Sequence, residues 1–266
     1  MIKCEYCGYE ILDDNAKFCS SCGKPIKNEK TKLNLDNISL IGLELKDDNS
    51  EELKKVVTSY YASSDEKILA QDNDYWTYIL ALLFWDIIFM KTDTCTSVKM
   101  DDPKFEGLYQ FMVNYTGLPN DFFTDEFYPT RKEEIEERLN QLKNEDIEKR
   151  ILQSFEENFG KPSKLITLWD KFPKEDLALI SQITSKEDLL KIQKRLLMDF
   201  IGNRATLPST IVYKDEAKLV DIITNDELSE NQLNWYKFIK SDLNLNLDLI
   251  FFNKNEKELE EIKNKL

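Results

Sequence analysis

The sequence predicts a helix-rich α/β protein with a small central sheet flanked by helices, preceded by a small β unit built around a metal. Three observations predict it. Four of the five cysteines fall in the first 22 residues, as two Cys-x2-Cys pairs. From Arg131 to Phe155 apolar residues recur at helical spacing among dense Glu, Lys and Arg, and a second helical stretch runs from Lys186 to Phe200. After Leu207-Pro208 the period changes to that of strand, turn, strand, helix, strand, which sets a sheet beside helices. The 266 residues, 41% of them hydrophobic, suffice for one or two folded domains with a real core. The chain has no histidine, so Ser-His-Asp and Cys-His nucleophiles, His-ligated zinc hydrolase sites and a histidine pH switch are all excluded. Its net charge of -14 argues against broad, non-specific binding to nucleic acid or anionic membrane. A local basic face stays compatible with that balance, because phosphate contacts depend on the nearest charges.

The first element is Cys4-Glu5-Tyr6-Cys7 and Cys19-Ser20-Ser21-Cys22, each pair followed by glycine, Gly8 and Gly23. A Cys-x2-Cys pair turns two thiolates onto one metal, and the glycine tolerates the left-handed backbone of the tight knuckle. The 11 residues between the pairs are enough for a short hairpin, Tyr9 to Phe18. Residues 1–26 thus resemble the zinc-ribbon family, with Cys4, Cys7, Cys19 and Cys22 as ligands of one structural zinc. Two disulfides or a redox Cys-x-x-Cys are the competing readings, but no secretory leader precedes the knuckles and no βαβ pattern surrounds them. A ribbon of that size cannot fold on core burial alone, so the metal is its stabiliser. Cys95 is left as a free thiol, and the set places the protein in a reducing cytoplasm.

Residues 27–50 are polar and rich in lysine and asparagine, and read as a linker with one short strand at Ile38 to Leu45. Tyr75 to Met90 is the most apolar stretch. As a helix it would be about 24 Å long, short of the roughly 30 Å hydrocarbon core, and it carries Asp86. It reads as a buried core helix, so no membrane partner is expected. From Arg131 to Phe155, Ile135, Leu139, Leu142, Ile147 and Ile151 line one side of a helical pattern. A second helix follows the Thr184/Ser185 cap, from Lys186 to Phe200. Ser209 to Tyr213 and Ala217 to Ile223 read as strands joined by a turn at Lys214-Asp215-Glu216. Leu228 to Ile239 returns to helix, Leu245 to Phe252 to strand, and residues 253–266 form a charged helical tail.

Several blocks, in order across residues 65–252, resemble the VRR-NUC nucleases, specifically the Fanconi-associated nuclease family. They are Leu82-Leu83-Phe84-Trp85-Asp86-Ile87-Ile88-Phe89, Thr124-Asp125-Glu126-Phe127-Tyr128 running through Arg131 to Leu139, and Trp169-Asp170-Lys171-Phe172. Asp199-Phe200, Arg204, Leu207-Pro208, Leu228-Ser229, Gln232 and Trp235 complete the set. The resemblance implies a restriction-endonuclease-like PD-(D/E)xK domain over residues 51–252. It also implies Mg²⁺ or Mn²⁺ held by carboxylates against a scissile phosphate, and a lysine that handles the attacking water. Residues i and i+2 of a strand face the same way, which is why that pattern spaces glutamate and lysine by two.

Carried over residue by residue, the helix carboxylate falls on Asp72, the Pro-Asp position on Pro208-Ser209, and the Glu-x-Lys position on Asp221-Ile222-Ile223. Gln232 joins them. Two carboxylates remain, Asp72 and Asp221, while a charged ligand has become Ser209 and the lysine has become Ile223. Lys218, three residues before Asp221, points to the opposite face. The bland alternative for Asp221 is a strand-end carboxylate that binds nothing. Lys191, Lys194 and Arg195 at i, i+3 and i+4, leading to Arg204, are the candidate phosphate contacts, or else simply solvated side chains. The leading expectation is an eroded nuclease-family protein that binds branched or single-stranded DNA, or a partner, with weak or no hydrolysis. A working Mg²⁺- or Mn²⁺-dependent, structure-specific DNA repair nuclease and a protein-interaction adaptor acting through the zinc ribbon are the alternatives. Whether the chain is an enzyme is left open by these residues.

Overall fold

A computed structural model describes residues 2–3, 10–11, 38–46, 49–90, 118–119, 121–224 and 228–265. All five cysteines, and so the four expected zinc ligands, lie outside the described residues, as does most of the expected Tyr9 to Phe18 hairpin. Two short strands, β1 (Ile2–Lys3) and β2 (Glu10–Ile11), pair antiparallel on either side of the first cysteine knuckle.

The main sheet has five strands in the order β3-β7-β6-β5-β4. β4 (Lys67–Gln71), β5 (Thr210–Tyr213) and β6 (Ala217–Ile223) form an antiparallel meander. β7 (Asn246–Phe252) joins β6 in parallel, and β3 (Ile38–Leu43) joins β7 in parallel. The β6-to-β7 connection is a helix, as a parallel pair requires. The short strand expected at Ile38 to Leu45 is β3, and it belongs to this sheet. The charged tail packs on the same core. Its helix carries Leu259 and Ile262 onto the main core, and Gly42 of β3 passes so close to Lys254 that an added Cβ would lie 2.7 Å from the Lys254 carbonyl oxygen.

The two faces of the sheet bury different things. Helix α1 (Ser50–Ala62) covers one with Val57 and Tyr61, packed on Val212, Val220 and Ile250. Odd-numbered β6 residues, Ala217, Leu219 and Ile223, face the larger core on the other side. That core is centred on α2 (Asp74–Ile88), in which twelve of fifteen residues are buried, as its apolar sequence demands. Among the described residues no helix is long and apolar enough to cross a membrane. Around α2 pack α3 (Phe127–Thr130), α4 (Lys132–Asn144), α5 (Ile147–Asn158), α6 (Lys174–Ile183), α7 (Lys186–Met198), α8 (Phe200–Arg204) and α9 (Glu230–Asp242), with α10 (Glu256–Lys265) at the end of the chain.

The single helical stretch expected from Arg131 to Phe155 is broken. Glu145 turns extended, and Asp146 starts a new helix by accepting the Lys149 N–H. The expected helix after Ser185 stands, capped by the Ser185 hydroxyl on the Asp188 N–H, but it ends at Met198. Trp76 and Trp235 are fully buried, whereas Trp85 and Trp169 lie partly exposed at the edge of the core.

Two buried ionic knots brace this frame. Arg131, with no exposure, forks onto Asp121 at 2.7 and 3.1 Å. It also donates to the carbonyls of Ile87 and Met90, closing the C-terminal end of α2. On the α1 face, Asp248 accepts from the Tyr61 hydroxyl at 2.8 Å and pairs with Lys218 at 3.3 Å, and Lys218 also reaches Glu66.

Candidate functional site

The candidate site grows from the ends of three strands. The β4–β5 pairing runs to Gln71 opposite Thr210, and the β5–β6 pairing runs to Thr210 opposite Val220. The next residue of each strand, Asp72, Ser209 and Asp221, thus falls in a row across the sheet. Neighbouring strands are about 4.8 Å apart, so the backbones of Asp72 and Asp221 stand roughly 10 Å apart with Ser209 between them. Asp221 and Ile223 share the face of the larger core, where Ile223 is buried. The fold brings together Asp72, Ser209, Asp221 and Ile223, which lie up to 151 positions apart in the chain. Lys218 points to the other face and is held there by Glu66 and Asp248.

Asp221 is covered by α9, whose first turn carries a capping box. The Ser229 hydroxyl accepts the Gln232 N–H, and the Gln232 side chain accepts the Ser229 N–H. This fixes the helix start over β6, so that Gln232 Nε2 lies 3.4 Å and the Tyr236 hydroxyl 2.5 Å from Asp221 Oδ2. Burial pushes the Asp221 carboxyl above its ordinary range, against the lowering effect of the Tyr236 and Gln232 hydrogen bonds. No lysine or arginine pairs with it among the described residues. Tyr236 carries no motif of its own; the signal that could have found it is its place one helical turn after Gln232.

Asp72 is arranged differently. Its Oδ1 accepts the Asp74 N–H at 2.8 Å and so shapes the first turn of α2. Its Oδ2 accepts from Lys171 Nζ at 2.7 Å. Lys171, from the Trp169-to-Phe172 block, also reaches Asp74, and Arg204 pairs with the other Asp74 oxygen. Burial pushes the Asp72 carboxyl up, but the Lys171 ammonium and the Asp74 N–H outweigh it and leave it below the ordinary carboxylate range. Among the described residues no group of three or more acidic or cysteine side chains converges.

The expected basic stripe is not a free one. Lys191 pairs with Glu187 at 2.7 Å and donates to the Asp242 carbonyl. Lys194 pairs with Glu136 at 2.6 Å. Arg195 is folded over the faces of Trp235 and Phe238, with its Nε on Asn203. Arg204 is taken up by Asp74 and Thr77. The i, i+3, i+4 spacing does put three cations on one helix, but Lys191 is met by Glu187 of the same helix and the Asp242 carbonyl, Lys194 by Glu136, and Arg195 by aromatic rings.

A sheet with a meander, a covering helix and a parallel return strand, carrying acidic and hydroxyl side chains at its motif end, defines a class. A VRR-NUC domain model matches residues 142–251, and a zinc-ribbon domain model matches residues 3–26. The chain therefore carries a VRR-NUC domain behind an N-terminal zinc ribbon, and the ribbon implies a zinc ion. Within that class the domain is related to Fanconi-associated nuclease 1. It is 28% identical over 172 residues to the Fanconi-associated nuclease 1 homolog of Arabidopsis thaliana, covering 62% of this chain and 18% of that one. It is 27% identical over 195 residues to Fanconi-associated nuclease 1 of Mus musculus, covering 69% of this chain and 17% of that one. The matched region thus spans less than a fifth of either relative. The fold is similar to that of paFAN1 in a crystal structure bound to 5′-flap DNA with a gap, with a TM-score of 0.63 and 20% identity over 83% of this chain and 39% of that one.

Proposed function

We propose that this chain is a VRR-NUC protein with an eroded catalytic motif, which binds nucleic acid with weak or no phosphodiester hydrolysis. The observation that carries the proposal is the row Asp72–Ser209–Asp221 with Ile223 beside it. Its centre is a neutral hydroxyl, and the place of the proton-handling lysine is a buried aliphatic side chain. Loss of such a lysine alone is worth about 10² to 10⁴ in rate. Flap DNA is the first substrate to test, because the structural neighbour was captured on it.

Lys191 and Lys194 are proposed to reach phosphate by exchanging partners. Their pairs with Glu187 and Glu136 lie at the surface, where an ion pair contributes about 0 to 1 kcal/mol, so a phosphate can displace the carboxylate. The test is a cleavage assay with Mn²⁺ on flap and single-stranded DNA, run beside a mobility-shift series in salt. Wild-type protein is expected to retain DNA without cutting it, and Ser209→Asp with Ile223→Lys to restore cutting. Cleavage by wild type that Asp72→Ala or Asp221→Ala abolishes would overturn the erosion. Retention should weaken with salt, and Lys191→Ala should reduce the log–log salt slope by about 1. The internal pairing of all four cations favours a second reading, an adaptor that meets a protein partner through its zinc ribbon. Absence of DNA retention at low salt would select it.

A further inference from the structure

The sheet end where this domain class holds a divalent ion is filled by the chain's own cations. Lys171 Nζ sits 2.7 Å from Asp72 Oδ2 and 2.5 Å from Asp74 Oδ2, and Arg204 closes the far side of Asp74. Asp72 Oδ1 is engaged by the α2 backbone. Across Ser209, Asp221 is turned toward Tyr236 and Gln232. Mg²⁺ demands near-octahedral oxygens at about 2.0 to 2.1 Å. Here the two motif carboxylates are aimed at different partners, and a dication at Asp72 would lie against an ammonium bound to the same oxygen. Like charges at such range repel strongly even at the effective dielectric of a protein surface. The donor set, as arranged, does not fit the ion.

We propose that Lys171 replaces the metal of this site: its ammonium is the resident cation that holds Asp72 and Asp74, and it presents positive charge to a phosphate at the sheet end. The second half rests on the nucleic-acid reading above; the first does not. An ammonium has three N–H donors. Two are engaged by Asp72 and Asp74, and the third makes no hydrogen bond among the described residues, with the Phe172 ring centroid 5.5 Å from Nζ. The Lys171 side chain is 27% exposed, so an incoming phosphate oxygen can reach it. Sequence alone hides this substitution, because the lysine comes from a loop 99 positions away from Asp72.

The test is Mn²⁺ uptake by the full, zinc-loaded chain, followed by electron paramagnetic resonance, which sees Mn²⁺ and is silent to Zn²⁺. Wild type is expected to take up no Mn²⁺ at the sheet end. Lys171→Met should raise Mn²⁺ affinity roughly ten- to a thousandfold, the range by which a neighbouring cation changes proton affinity at a carboxylate. Adding Asp72→Asn should remove the gain. If Lys171→Met does not fold, Lys171→Gln keeps a hydrogen-bond donor without the charge and takes its place. The proposal is overturned if wild type binds a Mn²⁺ that Asp72→Asn releases, or if a folded Lys171 variant gains none. On flap DNA, retention by wild type should be equal with and without Mn²⁺, and retention by the Lys171 variant should become Mn²⁺-dependent. If neither protein retains DNA, the functional reading fails and the Mn²⁺ titration still decides the replacement.

Discussion

Replacing Arg131 with methionine probes the knot that ties the C-terminal end of α2 to the rest of the helical layer. The guanidinium is completely buried, forks onto Asp121, caps the Ile87 and Met90 carbonyls and lies 4.4 Å over the Phe127 ring. Methionine keeps most of the apolar volume but removes the guanidinium that forks onto the Asp121 carboxylate, which is 2% exposed. Breaking a buried pair from one side costs about 3 to 5 kcal/mol. For a domain of this size each kcal/mol moves the melting temperature by about 2 to 4 °C, so a drop on the order of 10 °C is expected. A thermal melt followed by circular dichroism would measure the drop, and a urea titration the free-energy cost. The companion change, Asp121→Leu in the Arg131→Met background, should recover part of the loss, because it takes away a buried carboxylate that no longer meets the Arg131 guanidinium. A cost below about 1 kcal/mol for Arg131→Met, or a double variant less stable than the single one, would refute this account.

Two further outcomes follow from the site and the ribbon. Burial raises the Asp221 carboxyl on folding, so its ionised form is disfavoured in the native state, and its contribution to stability falls as pH rises from the unfolded value through the folded one. Asp221→Asn should therefore be more stable than wild type at pH 7, with the gap closing as pH falls through the carboxylate range; a gap that widens toward low pH would contradict it. Cys4→Ser should lower the zinc content below one ion per chain while leaving the far-ultraviolet helical signal and the main melting transition in place. Loss of the VRR-NUC transition together with the zinc would show that the ribbon supports the larger domain.

The elements legible in the sequence are those whose signal is local. The β5–β6 hairpin follows from alternation around Lys214-Asp215-Glu216, and α7 follows from its serine cap and apolar stripe. Helix α1 escapes such reading because only Val57 and Tyr61 of its thirteen residues are buried, leaving no stripe to find. Strand β4 is five residues long with a bulge between Ile68 and Ala70, which breaks its alternation. Strand β3 is legible as a strand but its place in the sheet is not, because its partner β7 lies about two hundred positions away. The break between α4 and α5 was available in principle, since Leu142 and Ile147 are five apart and Asp146 is a ready cap.

At the site, the residues proposed as motif positions, Asp72, Ser209, Asp221 and Ile223, can be read along the linear sequence, and so can the absence of a lysine two residues after Asp221. Cysteine spacing likewise determines the ribbon and its zinc, because a knuckle closes within four residues. What the charges do was decided only by the tertiary structure. Lys194 meets Glu136 of α4, Arg195 meets the rings of α9, and Lys171 meets Asp72 from the segment between α5 and α6. The reason is the steep dependence of ionic interaction on separation and burial: a lysine is free, paired or a stand-in for a metal according to the carboxylate folded within about 4 Å of it. Sequence order says little about that distance once helices and strands have packed.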